Sequence, residues 1–420
     1  MTPPGWLSSR TLLLALAFTA AAACVRLPRL DMPNHEIFDE VYHAVTARQY
    51  LQGERPLEWV HPPTSKLLIA VGVDLFGYHA WAWRLAPALA GIALAPVFFL
   101  LARRVASERA AALATLLLLC DGVYLVQSRV AMTNIFAVLF QVSAALFIVR
   151  AVLPERLGTR DMLLAGVCLG LALSTRWTSL WATGFLGLLV LVVRRARVFE
   201  PREWTLVLCA FLALPAAIYT ASYVPWMLIV MPDGTWTQRL HEMVLEQGRV
   251  WHYHATLDAT HPYFSPWYTW PWLKRPTWYY FFAGDALAGE PVRGVIALGN
   301  PGLWWASVPV TLWALSSGAA ERDPRRLFAA AGFCLLYLPW GLSPRTLNFS
   351  HYLFEAIPYA CLGLGLLLDR AWDRPAGGVL ARAYLVFVVL LFLFMFPILT
   401  ALPLPPDPGL RPWVWFSTWI

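Results

Sequence analysis

Residues 81–109 read WAWRLAPALAGIALAPVFFLLARRVASER. From Trp81 to Ala102 the run is apolar apart from Arg84, and it closes on Arg103 and Arg104, with Arg109 just beyond. A helix needs ~20 apolar residues to cross hydrocarbon, and basic residues collect on the cytoplasmic side, so this stretch reads as a membrane span with its basic end inside. Outward from it the pattern recurs in both directions. Apolar runs bounded by charge, turn and proline signals lie near 11–27, 81–102, 110–126, 131–149, 161–175, 177–193, 204–228, 295–315, 327–342, 349–368 and 380–402. The composition agrees, with 59% hydrophobic and 14% charged residues, too little polar surface for a second, soluble domain. The expected fold is an all-α integral membrane chain with about eleven crossings, one polytopic domain over residues 1–420.

The net charge of +7 is dispersed in small clusters between spans, which sets aside a nucleic-acid face. With the N-terminus in the cytoplasm, Arg103, Arg104 and Arg109 fall inside, as do Arg150, Arg156 and Arg160, then Arg194, Arg195, Arg197 and Arg202, and finally Arg322, Arg325, Arg326, Arg370 and Arg374. The region of Arg176 must then be an out-facing hairpin. The 22 Trp and 15 Tyr suit interfacial belts. Cys24, Cys120, Cys168, Cys209, Cys334 and Cys361 all sit in apolar runs and read as packing. The stretch after Arg10 has the look of a signal sequence, with alanines before Cys24, but is expected to stay as a signal anchor.

This orientation leaves two long non-cytoplasmic segments, 28–80 and 229–294, ahead of a four-span region at 295–420. Within the first, 37–52 and 64–76 have helical apolar spacing but are too polar or too short to span, and are expected to lie along the membrane surface. The second, rich in Trp, Tyr, His and Pro, is a lid or a structural plug.

The first outer segment contains Phe38-Asp39-Glu40-Val41-Tyr42-His43 and His61-Pro62-Pro63-Thr64-Ser65-Lys66, and Arg84 opens the next span. Asp121-Gly122 with Ser128-Arg129, Ser174-Thr175-Arg176-Trp177, His261-Pro262-Tyr263 with Trp270-Pro271, Gly299-Asn300-Pro301, and the run from Leu338-Pro339-Trp340 to His351-Tyr352 follow, ending at Trp415 to Ile420. In this order, and on one membrane face, these motifs resemble the protein O-mannosyltransferase family in its shorter bacterial form, over nearly the whole chain. The resemblance implies the C-type glycosyltransferase architecture, a polyprenyl-phosphate-mannose donor, and a Ser or Thr hydroxyl of an exported polypeptide as acceptor. It also implies Asp39 as the catalytic base. Membrane lipids and the secretion machinery are further expected partners; no metal cofactor is required by the resemblance or indicated by the residues.

The chemistry explains why such residues are wanted. Sugar transfer to a hydroxyl needs a base for its proton, and a single in-line displacement inverts the anomeric carbon, whereas retention requires a second carboxylate as nucleophile. Glu40 points away from Asp39 by the helical turn and is assigned a supporting role; acidic residues opposing a helix dipole are the plainer account of the pair. The leaving phosphate gains charge, which fixed cations stabilise. Arg84, Arg129, Arg176 and Arg345 all stand at outer span ends, against the usual bias, and with Lys66 are the candidate phosphate ligands. Snorkelling, or pairing such as Asp121 with Arg129, is the alternative for each. Candidate substrate contacts are His61, Asp121, Asn134, His261, Trp267, Asn300 and His351. Asn134 stands where related enzymes often have aspartate, and an amide cannot serve as a base. His252, His254 and His261 with Asp258 have the residue types of a zinc site, but the spacing fits an ordinary interfacial loop as well. Two other functions compete: transfer of another sugar or to a lipid or glycan acceptor on the same scaffold, and a lipid-linked-sugar transporter, for which no broken-helix pair in related halves is seen.

Overall fold

The computed structural model describes residues 8–285 and 288–420. The seven residues before Ser8, whose side of the membrane the charge pattern addresses, and residues 286–287 lie outside them.

In chain order the helices are α1 (Ser9–Arg26), α2 (Glu40–Gln52), α3 (Thr64–Phe76), α4 (Ala80–Val105), α5 (Glu108–Leu119), α6 (Gly122–Gln127), α7 (Asn134–Val152), α8 (Thr159–Leu173), α9 (Ser179–Arg194), α10 (Pro201–Leu208), α11 (Leu214–Ser222), α12 (Val224–Val230) and α13 (Trp236–Thr256). After the strands β1 (Thr277–Phe282) and β2 (Arg293–Ala297) come α14 (Pro301–Ala320), α15 (Pro324–Tyr337), α16 (Ile357–Trp372) and α17 (Pro375–Leu399). Among the described residues, five helical stretches, Ser9–Arg26, Ala80–Val105, Asn134–Val152, Pro201–Val230 and Pro375–Leu399, are long and apolar enough to cross a bilayer. Helix is the form expected there, because hydrocarbon offers no partner to a free backbone amide.

The helix ends are written in the sequence. Ser8 and Ser107 accept from the amides of Thr11 and Ala110 to cap α1 and α5, and Thr235 with Gln238 forms a capping box on α13. Small residues let helices touch: a Cβ at Gly365 of α16 would run into the Ala110 carbonyl and Ala114 of α5. At one end of the bundle, ion pairs join the connectors that the charge pattern puts inside. Arg10 binds Glu108, Arg109 binds Asp369 and Asp373, and Glu321 binds both Arg326 and Arg370.

Several boundaries differ from expectation. The 110–126 run is broken at Cys120 and Asp121 into α5 and α6, because Asp121 caps a new helix. The 295–315 run begins in a strand: β1 and β2 form an antiparallel hairpin, with Thr277 opposite Ala297, so helix starts only at Pro301. Aromatic and β-branched residues in Thr277–Phe282 favour that extended pairing, so among the described residues a predominantly helical chain carries one short hairpin. Residues 350–355 form a 3-10 turn, and α16 begins at Ile357. The helical spacing of 37–52 and 64–76 appears as α2 and α3, while α13, the longest element of residues 229–294, was not foreseen as helix.

Candidate active site

A loop from the end of α1 leads into α2 and presents Asp39. Phe38, just before it, adopts a left-handed conformation (φ 48°), unusual for a bulky residue, and its ring stacks on Tyr279 of β1 with centroids 4.1 Å apart. The next residue anchors the turn. Glu40 is wholly buried; its oxygens accept from Arg84 Nε (2.8 Å) and Nη2 (2.7 Å), from the amide of Ile37 (3.0 Å) and from the amide of Ala131 (2.9 Å). One helical step of ~100° therefore turns Glu40 into the protein and leaves Asp39 at a cavity wall. Among the described residues the Asp39 side chain has no hydrogen bond and no ion pair.

The cavity encloses about 490 Å³ and brings together Asp39, His61, Asn134, Arg176, His261, Arg345 and His351. Arg176 Nη1 donates to Thr133 Oγ1 (3.1 Å) and Asn134 Oδ1 (2.9 Å), while its Nε, 3.9 Å from Glu355, has no hydrogen-bond partner. Arg345 donates Nε to the Leu347 carbonyl (2.8 Å) and Nη1 to His254 Nδ1 (3.1 Å). His351 stacks on Phe349 with centroids 5.6 Å apart, and His261 meets the same ring edge-on at 5.0 Å. An apolar groove of about 360 Å³, walled by Trp177, Leu180, Trp181, Trp251, Trp340 and Leu342, adjoins the cavity, and three residues line both: His61, Arg176 and Arg345.

Other candidates are placed elsewhere. All five N–H groups of Arg84 are used, on Glu40 and on the carbonyls of Leu30, Pro33 and His35, so none remains for a phosphate. Arg129 donates to the carbonyls of Val25, Arg26, Pro28 and Arg29, tying down the end of α1. Lys66 is buried and donates to Glu58 and to the His61 carbonyl. Asp121 accepts from Tyr124, Asn300 and Trp304 Nε1 (2.7 Å) rather than pairing with Arg129. Asn300 caps α14 and donates to the carbonyls of Cys120 and Val388. Trp267 packs on Tyr337, with centroids 5.4 Å apart. These six residues build the frame and do not line the cavity. Among the described residues no three His, Cys, Asp or Glu side chains form a metal cluster: His252 and Asp258 are exposed and His254 is engaged with Arg345 and the Val60 carbonyl.

Sequence reasoning missed Glu58. It lines the cavity, accepts from His61 Nδ1 (2.8 Å) and the His61 amide (3.0 Å), and forms a buried ion pair with Lys66. The signal was weak, since Lys66 was expected as a phosphate ligand on a surface helix, and its burial against Glu58 is a matter of folding. Burial would raise the Glu58 pKa; Lys66 and His61 outweigh it and hold it well below the usual carboxylate range. Asp39 shifts the other way, up to about 6, through burial first and the Glu58 charge second, against the pull of Arg176 and Arg345. Burial takes His43 down to about 3 and His61 down to about 4. The wall around Asp39 is thus one basic carboxylate among neutral imidazoles, facing two arginines.

Residues 16–83 and 78–230 match the family described as dolichyl-phosphate-mannose-protein mannosyltransferase, and residues 239–419 match the C-terminal four TMM region of protein-O-mannosyltransferase. The polyprenol-phosphate-mannose–protein mannosyltransferase of Mycolicibacterium smegmatis is 29% identical across 96% of this chain and 91% of its own length. That of Mycobacterium tuberculosis is 27% identical across 99% and 92%. The structure of the S. cerevisiae protein O-mannosyltransferase Pmt1-Pmt2 complex bound to the sugar donor superposes with a TM-score of 0.86 at 14% identity, covering 99% of this chain and 93% of that one. ArnT from Cupriavidus metallidurans, bound to undecaprenyl phosphate, gives 0.61 at 19% identity over 93% and 71%. The solved structures share the expected C-type glycosyltransferase fold, and the sequence matches, which run nearly end to end, go further: this chain belongs to the dolichyl-phosphate-mannose-protein mannosyltransferase family of membrane enzymes.

Proposed function

We propose that this chain transfers mannose, with inversion, from a polyprenyl-phosphate-mannose lipid to Ser or Thr hydroxyls of exported polypeptides on the non-cytoplasmic face of the membrane. One observation carries the reading: an unpartnered Asp39 shares a cavity with two arginines that stand where that cavity opens into an apolar groove. A lipid-linked sugar has those three parts in that order, an apolar tail, an anionic phosphate and a polar sugar. The tail lies in the groove, the phosphate meets Arg176 and Arg345, and the sugar sits among Asn134, His261 and His351. Asp39 takes the proton as the acceptor oxygen attacks the anomeric carbon, and the phosphate departs toward the guanidinium groups. No second carboxylate has to act as nucleophile, because Glu58 is held by Lys66 and His61.

Eleven crossings with the N-terminus inside put this cavity outside. In support, ion pairs join the arginine-bearing connectors around Arg109, Glu321 and Arg370 at one end of the bundle, while Asp39, Arg176 and Arg345 belong to connectors of the other parity. Residues 28–80 and 229–294 then form the two outer segments and 295–420 the four-span region.

The test is reconstituted enzyme with radiolabelled polyprenyl-phosphate mannose and a Ser/Thr peptide. Labelled peptide whose anomeric configuration is opposite to the donor's is expected by NMR. Retained configuration, or no transfer with acceptor and donor both bound, would sink the mechanism. Labelling of a cysteine placed beside Asp39 from the cytoplasmic side alone would sink the topology.

A further inference from the structure

His61 occupies the junction of cavity and groove together with Arg176 and Arg345, but unlike them its charge is not fixed. Its hydrogen bonds decide its tautomer. Glu58 is an acceptor, pinned by Lys66, so His61 Nδ1 at 2.8 Å carries the proton and donates. Nε2 is left as a lone pair at the junction, with no protein partner among the described residues.

The neighbouring histidines cannot play the same part. His254 Nε2 lies 2.9 Å from the Val60 carbonyl and must donate, so its Nδ1 is the lone pair that accepts from Arg345; protonating it would cost that bond. His43 is buried, with its ring 6.1 Å from His61, and does not line the groove. The groups facing His61 are therefore Glu58 from its own loop, Lys66 of α3 paired to Glu58, Asp39 and His43 at α2, Arg176 ahead of α9, His254 of α13 at 5.7 Å, and Arg345.

We propose that His61 is a conditional third cation of the phosphate site, neutral while the site is empty and protonated at Nε2, with a proton taken from solvent, when a lipid phosphodiester binds. The proposal rests on the donor-site reading above. The cause is electrostatic. In the empty site, burial, with Arg176 and His254 adding to it, holds the imidazole at about 4 against the pull of Glu58. A bound phosphate offsets the arginines and offers an acceptor oxygen, leaving the imidazolium between two anions. An opposite charge within ~4–6 Å moves a pKa by about one to three. The pKa of His61 is thereby carried toward neutral pH, with the largest proton uptake near pH 5, a fraction of a proton still taken up at pH 6 and little at pH 8.

The experiment is calorimetry of polyprenyl-phosphate-mannose binding to the full-length Asp39→Asn enzyme in detergent, in two non-phosphate buffers of different ionisation enthalpy. Asp39→Asn prevents turnover and removes the other group titrating near pH 6, and a phosphodiester has no proton of its own to exchange there. Binding heats that differ between buffers at pH 6, reporting uptake of a fraction of a proton, and converge at pH 8 are expected. His61→Asn, which can still donate to Glu58, should abolish the difference and weaken binding about tenfold at pH 6 but little at pH 8. His61→Gln is the second variant, and melting temperatures confirm that each is folded. Identical heats in both buffers with His61 present, or uptake that persists without it, overturns the proposal. Failure of the donor to bind Asp39→Asn at all, with acceptor peptide still bound, overturns the donor-site reading instead.

Discussion

Arg84 and Arg176 are the same residue type at the ends of apolar runs, and they do opposite things. Arg84 spends every N–H on Glu40 and three carbonyls and is closed to ligands; Arg176 spends only Nη1 on side chains, leaves Nη2 without a hydrogen bond among the described residues and lines the cavity. Arg129 sides with the first and Arg345 with the second. The lesson is that an arginine at a membrane surface is defined by how many of its five donors the protein has already taken. One set holds the loop that presents Asp39; the other lines the cavity that Asp39 shares.

That division can be broken by measurement. The largest effect is expected from Asp39→Asn, which should lower the transfer rate by about 10²–10⁴-fold, the usual contribution of a general base. Its melting temperature should not fall, since no hydrogen bond or ion pair is lost. A variant that turns over normally removes Asp39 from the chemistry. Next comes the frame: Arg84→Ala strands the buried Glu40 carboxylate at a cost of about 3–5 kcal/mol, read as loss of folded protein in detergent by size exclusion. If Arg84→Ala is instead stable and shows a raised donor KM, the two sets are not distinct.

Arg176→Ala should do what Arg84→Ala does not. Loss of a charged hydrogen bond worth about 1.5–3 kcal/mol raises the donor KM by roughly 10- to 150-fold, with acceptor KM nearly unchanged and a smaller fall in melting temperature than for Arg84→Ala, because Arg176 also holds Thr133 and Asn134. The smallest effect is that of pH. Asp39 must be ionised to act, so kcat/KM should fall about tenfold per pH unit below about 6. Its contribution to stability has the opposite sense: with the folded value above the unfolded one, the proton favours the fold, so stability from this group is greatest below about 4 and is lost as pH rises through about 6. An acid limb near pH 4 would mean that Glu58 and burial do not act on Asp39 as described.

Much of this was legible in the chain. Period, length and charge placed a helix at each expected run, because in a membrane the backbone must satisfy itself locally and the pattern is therefore local. Asp39, Arg176 and His61 could be named because their neighbours in sequence, Glu40, Ser174-Thr175 and Pro62-Pro63, resemble a known family. The hairpin of β1 and β2 was not legible, because β1 fell within the 229–294 loop and only the end of β2 within the 295–315 run, and a short strand gives little signal until its partner is known.

The amino-acid order by itself determined that this protein is a helical bundle for lipid, with its acidic and histidine motifs between spans. Only the tertiary structure decided which cations are free. Whether an arginine or lysine meets a carboxylate, a carbonyl or an open cavity depends on residues far away in sequence, as Glu40 with Arg84 and Arg345 with His254 are, and hydrogen bonds of that range follow from packing alone.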